Sequence, residues 1–524
     1  MKKEGVLAGV AILFVTVVVA CNKAGNQPAE QASQPQAAVA QKPKVAVSPN
    51  AWQVPADVQP QPASQTDWLN FGWQTFVALD WPALSPNSGG VMGQPDTSST
   101  IGATAGGAIV PAVWNTFRDV STIMLANGVD PGSSYNKPTV IAGSCTAMGS
   151  GNPVAPGFQP LYVDNSTFTQ ATLPKSYTNE AFTGPLVDQG GWYTLEQIFV
   201  APSEYAYIQG NGYYLGQNQV NAYKQNGSLV GFPKDGQGLN LPTWAQYGAL
   251  EIKATWRVLD PNVDKNVLSR YYTQWGYFMQ ADGTTCQGPT LFGLIGLHIL
   301  RLTPSTGATW FWASFEQIDN TEPPSGVPAT LAANGTPNGA CTTPPYNVTP
   351  NTSTGNIPWN GSNTPNNICQ VTQIPSYVQT VNQSWQSQLQ GTVWQYYQMV
   401  NTLNPCSTGD ASCYTFYPIY DKNNTINLNA YANTAIESYF QSFQSGSTTV
   451  TSTCMSCHGS AAGDGAPSTM TGNNQIFTFV LMNAYLPPSL TATATGERQK
   501  LLRLFRHPPA GKLAVSAKPK DTSK

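Results

Sequence analysis

Hydrophobic positions recur at two periods along this chain, and the changes of period outline its elements. Thr66 or Asp67 is placed to cap a first helix, in which Leu69, Trp73, Phe76 and Val77 fall on one face until Pro82 ends it. Gly, Pro, Asn and Asp punctuate roughly the next 200 residues, as they do in an irregular β-rich domain. Residues 191–199 mix strand and helix signals, and Ser203 is placed to cap a short helix carrying Tyr205 and Ile208. Alternation of apolar and polar residues over 250–258 predicts a strand with one buried face. Aromatic residues alternate in a similar way over 270–279. Residues 291–302 and 310–318 predict two strands joined around Pro304-Ser305-Thr306-Gly307, a hairpin by its turn chemistry. On the first, His298 is expected to share a face with Leu294, Gly296 and Leu300; on the second, Trp310, Trp312, Ser314 and Glu316 line one face.

Helical spacing returns over 376–403, where Val378, Val381, Trp385, Leu389, Val393, Tyr396, Tyr397 and Val400 are spaced for burial before Asn404-Pro405. Further helices are predicted over 429–444, over 474–485 ahead of Pro487-Pro488, and over the cationic stretch 496–506. Residues 320–368 are a long connection rich in Pro, Asn, Gly and Thr. The pattern predicts an α+β chain, with an irregular β-rich body over 66–372, a small mostly helical segment over 373–506 and a disordered basic tail over 507–524.

Charged residues are 10% of the chain and the net charge is −3, against about 25% charged residues in ordinary soluble domains, so nothing points to nucleic acid. Asn, Gln, Ser, Thr and Gly take their place beside 14 Trp and 23 Tyr, a mix that favours short strands and polar turns. Met1-Lys2-Lys3 precedes an apolar run over 5–20 that is too short for a comfortable membrane span, so residues 1–20 read as an export signal. The run ends Val18-Val19-Ala20-Cys21, which resembles the lipobox of bacterial lipoproteins. That resemblance implies a lipid on Cys21, a membrane anchor at the N-terminus and, with Asn22 following, the outer membrane, facing the periplasm or the surface. Residues 21–65, rich in Gln, Ala and Pro, are expected to be a disordered tether.

The most specific chemistry is Cys454-Met455-Ser456-Cys457-His458. Two cysteines separated by two residues and followed at once by histidine are spaced for two thioether links to a porphyrin, with the histidine under the iron. A structural zinc site needs a second ligand pair at suitable spacing, and Cys406 and Cys413 are a poor match. A thioredoxin-like pair belongs to a βαβ context that the flanking residues do not suggest.

The motif resembles that of the cytochrome c family, which implies one covalent haem c held by Cys454 and Cys457, with His458 as the proximal iron ligand. Four phrases resemble large bacterial mono-haem cytochrome c-like lipoproteins: Gly-Leu-His-Ile-Leu (296–300), Trp-Phe-Trp-Ala-Ser-Phe-Glu-Gln-Ile-Asp-Asn (310–320), Ala-Asn-Thr-Ala-Ile-Glu (432–437) and Phe-Thr-Phe-Val-Leu (477–481).

Candidates for the distal iron position are His298 first and Met470 second, ahead of Met482 and His507. Methionine ligation raises a haem potential relative to two histidines. A filled distal position predicts one-electron transfer between redox partner proteins of the envelope. An open one predicts peroxidase or oxygenase chemistry, with a substrate pocket in the β-rich body. Arg498, Lys500, Arg503 and Arg506 are placed to pair with haem propionates or an acidic redox partner. Six further cysteines, Cys145, Cys286, Cys341, Cys369, Cys406 and Cys413, predict up to three disulfides in an oxidising compartment, with fifteen pairings open. Cys406 with Cys413 is the favoured local loop, and Cys341 and Cys369 are placed to staple the 320–368 connection.

Overall fold

The structure, a computed structural model, describes residues 47–145, 148, 151–164, 186–188, 192–226, 231–280, 284–307, 310–320, 366–367, 374–404, 433–436, 443–445, 448–450 and 478–485. Among them the chain builds an eight-stranded sheet: Arg118–Asp119 (β1), Leu161–Asp164 (β2), Leu195–Val200 (β3), Leu250–Leu259 (β4), Thr273–Met279 (β5), Cys286–Arg301 (β6), Phe311–Gln317 (β7) and Tyr397–Leu403 (β8). Four α-helices accompany it, Gln65–Leu79 (α1), Pro202–Gly210 (α2), Gly216–Asn226 (α3) and Ser376–Gln388 (α4), so the body is β-rich within a mixed α+β fold. No helix among the described residues is long and apolar enough to cross a membrane.

The sheet is organised on β6, whose apolar run from Leu291 to Leu300 is buried on both faces. β4 runs antiparallel along one edge of β6, and β5 and then β7 share the other. The order β8-β7-β6-β4-β3-β1 follows, with β2 parallel to β5. The hairpin expected around Pro304-Ser305-Thr306-Gly307 joins β6 to β7, with Gly307 at φ 65 in the turn. One expectation on β6 needs correcting. Gly296 lies opposite Thr255 but Leu294 opposite Trp256, so Ile295 is an extra residue that bulges the strand. The bulge turns Leu294 to the opposite face from His298.

α1 covers the first face of the sheet. Ser64, rather than Thr66 or Asp67, caps it: Ser64 Oγ accepts from the Asp67 N–H, and the Asp67 carboxylate accepts from the Ser64 N–H. Asp67 therefore stands at the third helical position and completes a capping box. Phe76 stacks on Phe315 at 4.2 Å, Trp73 meets the same ring edge-on at 5.0 Å, and Trp68 stacks on Phe311 at 5.5 Å. Gly72 permits the approach, since a Cβ there would stand 2.7 Å from Met399 Cε and 3.4 Å from Ala313 Cβ.

The sheet also claims residues expected elsewhere. The helix predicted over 376–403 stops at Gln388, because Gly391 takes a φ of 86, and the chain re-emerges as β8 beside β7. Tyr397 and Met399 also fit a period of two, and the free edge of β7 decides between the readings. Of the helix expected over 429–444, the described residues differ: 433–436 form a turn, and 443–444 belong to Phe443–Ser445, which pairs with Thr448–Val450. Of the helix expected over 474–485, the described residues 478–485 form a 3₁₀ turn, Val480–Asn483, followed by a bridge from Tyr485 to Leu215. Residues 47–64, assigned by composition to the tether, belong to the body. Val58 is fully buried, Asp57 accepts hydrogen bonds from Thr303 and Ser305, and the Pro55 carbonyl accepts from Arg301 at 2.7 Å.

Cys145 and Cys286 are joined in a disulfide that closes a separation of 141 residues at the start of β6. Cys341, Cys369, Cys406 and Cys413 lie outside the described residues, so the two local pairings favoured by the sequence do not bear on this bond. Non-reducing peptide mapping of the mature protein is expected to recover a linked Cys145–Cys286 fragment, and a free thiol at either position would contradict it. Phe315→Ala, which empties the space between Trp73 and Phe76, is expected to lower the unfolding free energy by about 3–5 kcal/mol in chemical denaturation.

Candidate functional site

The second face of the sheet carries the polar residues of the alternating strands. Strand register sets Ile198, Lys253, His298, Ser314 and Asn401 in one row across β3, β4, β6, β7 and β8. Flanking rows carry Glu196, Thr255 and Glu316 on one side, and Val200, Glu251, Leu300 and Trp312 on the other. Alternation predicted a solvated side for β4. Instead Glu251, Thr255, His298, Ser314, Glu316 and Asn401 are all buried.

Two stretches from the C-terminal part of the chain cover this face and answer its polar groups. The first is 433–436. Asn433 Nδ2 donates to Ser314 Oγ at 3.1 Å and to the Phe315 carbonyl at 2.7 Å. Glu316 Oε2 accepts from the Thr434 N–H at 3.1 Å and from its hydroxyl at 2.8 Å, while Oε1 accepts from Gln398 at 3.1 Å. Gly296 makes room, because a Cβ there would stand 3.2 Å from both Ala435 and Asn433. The second stretch is 478–485. Val480, Leu481 and Ala484 pack with Val200, Leu300 and Trp312, and Gln219 of α3 donates to the Leu481 carbonyl at 2.9 Å. Described parts of all four phrases that carry the resemblance therefore meet on one sheet face.

His298 stands between the two stretches. It is 1% exposed, and its ring meets Trp312 edge to face at 4.9 Å. Beside it lies a cavity of about 20 Å³, walled by Glu251, Lys253, His298, Trp312, Phe479 and Val480, with room for one water. Lys253 Nζ sits 3.0 Å from Glu196 Oε2, an ion pair largely removed from solvent. Behind the cavity, Glu251 faces Glu204 of α2, and both are buried. Burial, and then the Glu251 charge, pushes the Glu204 carboxyl well above the usual carboxylate range. Burial also raises Glu251, against hydrogen bonds from Glu204 and from Thr478 that lower it. Burial and mutual repulsion favour keeping a proton on this pair, Glu204 being raised the further. The arrangement can store a proton beside a water-sized cavity lined by an imidazole and an ammonium.

The alternation marked Glu251, Lys253 and His298 as members of one strand face, but their chemistry depends on partners from α2, β3 and the C-terminal stretches. Glu204 carried no signal in the sequence. Ser203, read as a helix cap, instead donates to the Gly248 carbonyl at 2.8 Å, and Pro202 opens α2. Cys21, Cys454, Cys457, His458, Met470 and His507 lie outside the described residues, as does the 496–506 stretch. Among the described residues no three His, Cys, Asp or Glu side chains converge as a metal site.

The donor set fits a haem in one respect. His298 supplies an imidazole, and Leu300, Trp312, Phe479 and Val480 supply an apolar wall. The cavity takes a water rather than a macrocycle. No family model, curated protein or solved structure matches the chain.

The carboxyl pair gives a pH signature. Its protonated form contributes fully below the ordinary glutamate pKa, and that contribution is lost as the pH rises, because the unfolded chain releases protons that the folded pair retains. Between about pH 5 and about pH 8 the melting temperature of the wild type is expected to fall more steeply than that of Glu204→Gln, whose amide donates to Glu251 without titrating. Parallel curves would contradict a proton kept on the pair.

Proposed function

We propose that the protein is an exported mono-haem c-type cytochrome of the bacterial envelope, lipid-anchored through Cys21, that passes single electrons between redox partner proteins. One observation carries the reading: the stretch containing Cys454-Met455-Ser456-Cys457-His458 is joined at both ends to segments docked on the sheet face around His298. Cys454 and Cys457 would hold the porphyrin, His458 the proximal side of the iron, and His298 or, failing it, Met470 the distal side. A haem c bound there supplies a one-electron ferric–ferrous couple.

The chain's own residues fix the setting. Asn433 and Thr434 fasten one end of the stretch through Ser314 and Glu316. Thr478, through Glu251, and Val480 and Leu481, through Leu300 and Trp312, fasten the other. Burial of His298 among Trp312, Leu300 and Phe479 keeps its imidazole from bulk water.

One observation favours a second reading, a haem-dependent peroxidase- or oxygenase-type enzyme. Glu251, half of the proton-holding pair, lines the same cavity as His298, which is where an acid would serve bound peroxide or oxygen.

Absorption and electron paramagnetic resonance spectra of the mature holoprotein separate the readings. Electron transfer predicts a low-spin spectrum whose ferrous form ignores carbon monoxide, and His298→Ala is expected to convert it to a high-spin, carbon monoxide-binding form. A low-spin spectrum unchanged in His298→Ala would transfer the distal role to Met470. High-spin ferric haem in the wild type that reacts rapidly with peroxide would select the enzyme.

A further inference from the structure

A second and much larger cavity, about 980 Å³, lies in the layer that covers the first sheet face, within the size range of ligand sites. The 47–56 stretch forms one wall, and α1, α4 and residues 94–98 and 243–247 form the rest. We infer that this cleft binds a neutral oligosaccharide, because its described lining combines partly buried indoles with side-chain amides, almost no charge and one buried hydroxyl left without a partner.

Three indoles line it: Trp52, Trp244 and Trp385. All are only partly buried, so each keeps ring surface toward the cleft while packing against the core. Trp385 is fixed in place, stacked on Trp73 at 6.0 Å with 6° between the planes and donating its Nε1–H to Asn70 at 3.0 Å. Rigid aromatic faces of this kind take the C–H faces of sugar rings with little loss of side-chain entropy. Between them stand the amides of Asn50, Gln53, Gln74, Gln94, Gln246 and Gln388; Gln94 already accepts from the Val91 N–H, and Gln246 and Gln388 donate to the Leu241 and Ser384 carbonyls, each amide keeping capacity for a further bond. Amides, which both donate and accept, suit vicinal hydroxyls, which do the same. A purely apolar ligand would strip water from these amides and return nothing.

Two further observations narrow the class. Asp96 is the one ionisable acid in the lining, and its Oδ1 is already engaged by the Ser98 N–H at 3.0 Å and hydroxyl at 2.6 Å. Among the described residues no lysine or arginine lines the cleft, so a phosphate or carboxylate ligand would find no countercharge there. Tyr247 lines the cleft, is 3% exposed, and its hydroxyl makes no hydrogen bond. Burial pushes that phenol up, so it remains a protonated donor. An orphaned hydroxyl in a roomy polar-aromatic cleft is a place for a ligand hydroxyl. The inference does not rest on the haem reading, since no residue of the cleft belongs to the second sheet face.

Titration calorimetry and tryptophan fluorescence of the mature holoprotein against cellohexaose, maltohexaose and chitohexaose test it, with decaproline as a peptide control. Saturable binding of at least one oligosaccharide is expected, weakened about tenfold by Trp244→Ala and severalfold by Tyr247→Phe. Circular dichroism and melting curves establish that the variants fold, and Trp52→Ala is expected to give the same loss should Trp244→Ala fail to fold. Absence of saturation by all three sugars up to about 10 mM, binding of decaproline alone, or binding unchanged in the variants would each overturn the inference.

Discussion

A sheet face that is polar and yet buried has to find its hydrogen bonds from other parts of the chain, and that constraint governs this protein. The first face poses no such problem, because α1 meets it with aromatic rings. The second places Glu251, His298, Ser314 and Glu316 under cover, where each unanswered group would cost about 1–3 kcal/mol. Asn433, Thr434 and Thr478 supply partners from far along the sequence. The same bonds that satisfy the face also fix where the C-terminal part of the chain leaves and rejoins the body.

Functional placement follows from this. The 41-residue stretch from 437 to 477, whose sequence contains the cysteine pair, is flanked by two segments docked beside one buried histidine. The proton kept on Glu204 and Glu251 then becomes a local resource in place of a penalty, since it allows two acids to remain buried without a countercharge. The large cleft belongs to the other layer and has different chemistry, with indoles and amides in place of ionisable groups.

What the sequence made legible follows from range. α1, β4, the β6–β7 hairpin and the faces of β7 could be read because each depends on neighbours a few residues apart. Capping chemistry at Ser64 was missed by two positions because the acceptor of the box, Asp67, resembles a cap itself. The bulge at Ile295 was illegible, since only the register against β4 reveals it. β8 carried a helical period that Gly391 and the waiting edge of β7 overrode. Alternation in β4 identified which residues share a face but not what covers it, so Glu251 and Lys253 read as solvated. Glu204 and Thr478, which complete the site, come from opposite ends of the body, and no local pattern couples them.

The claim that the buried polar face brings the haem stretch to His298 is tested most directly by locating the iron. Anomalous diffraction at the iron edge from crystals of the mature holoprotein is expected to place a single iron within bonding distance of an imidazole nitrogen of His298, with His458 on its other side. An iron site remote from the second sheet face, with His298 still enclosed by Trp312 and Phe479, would contradict the account.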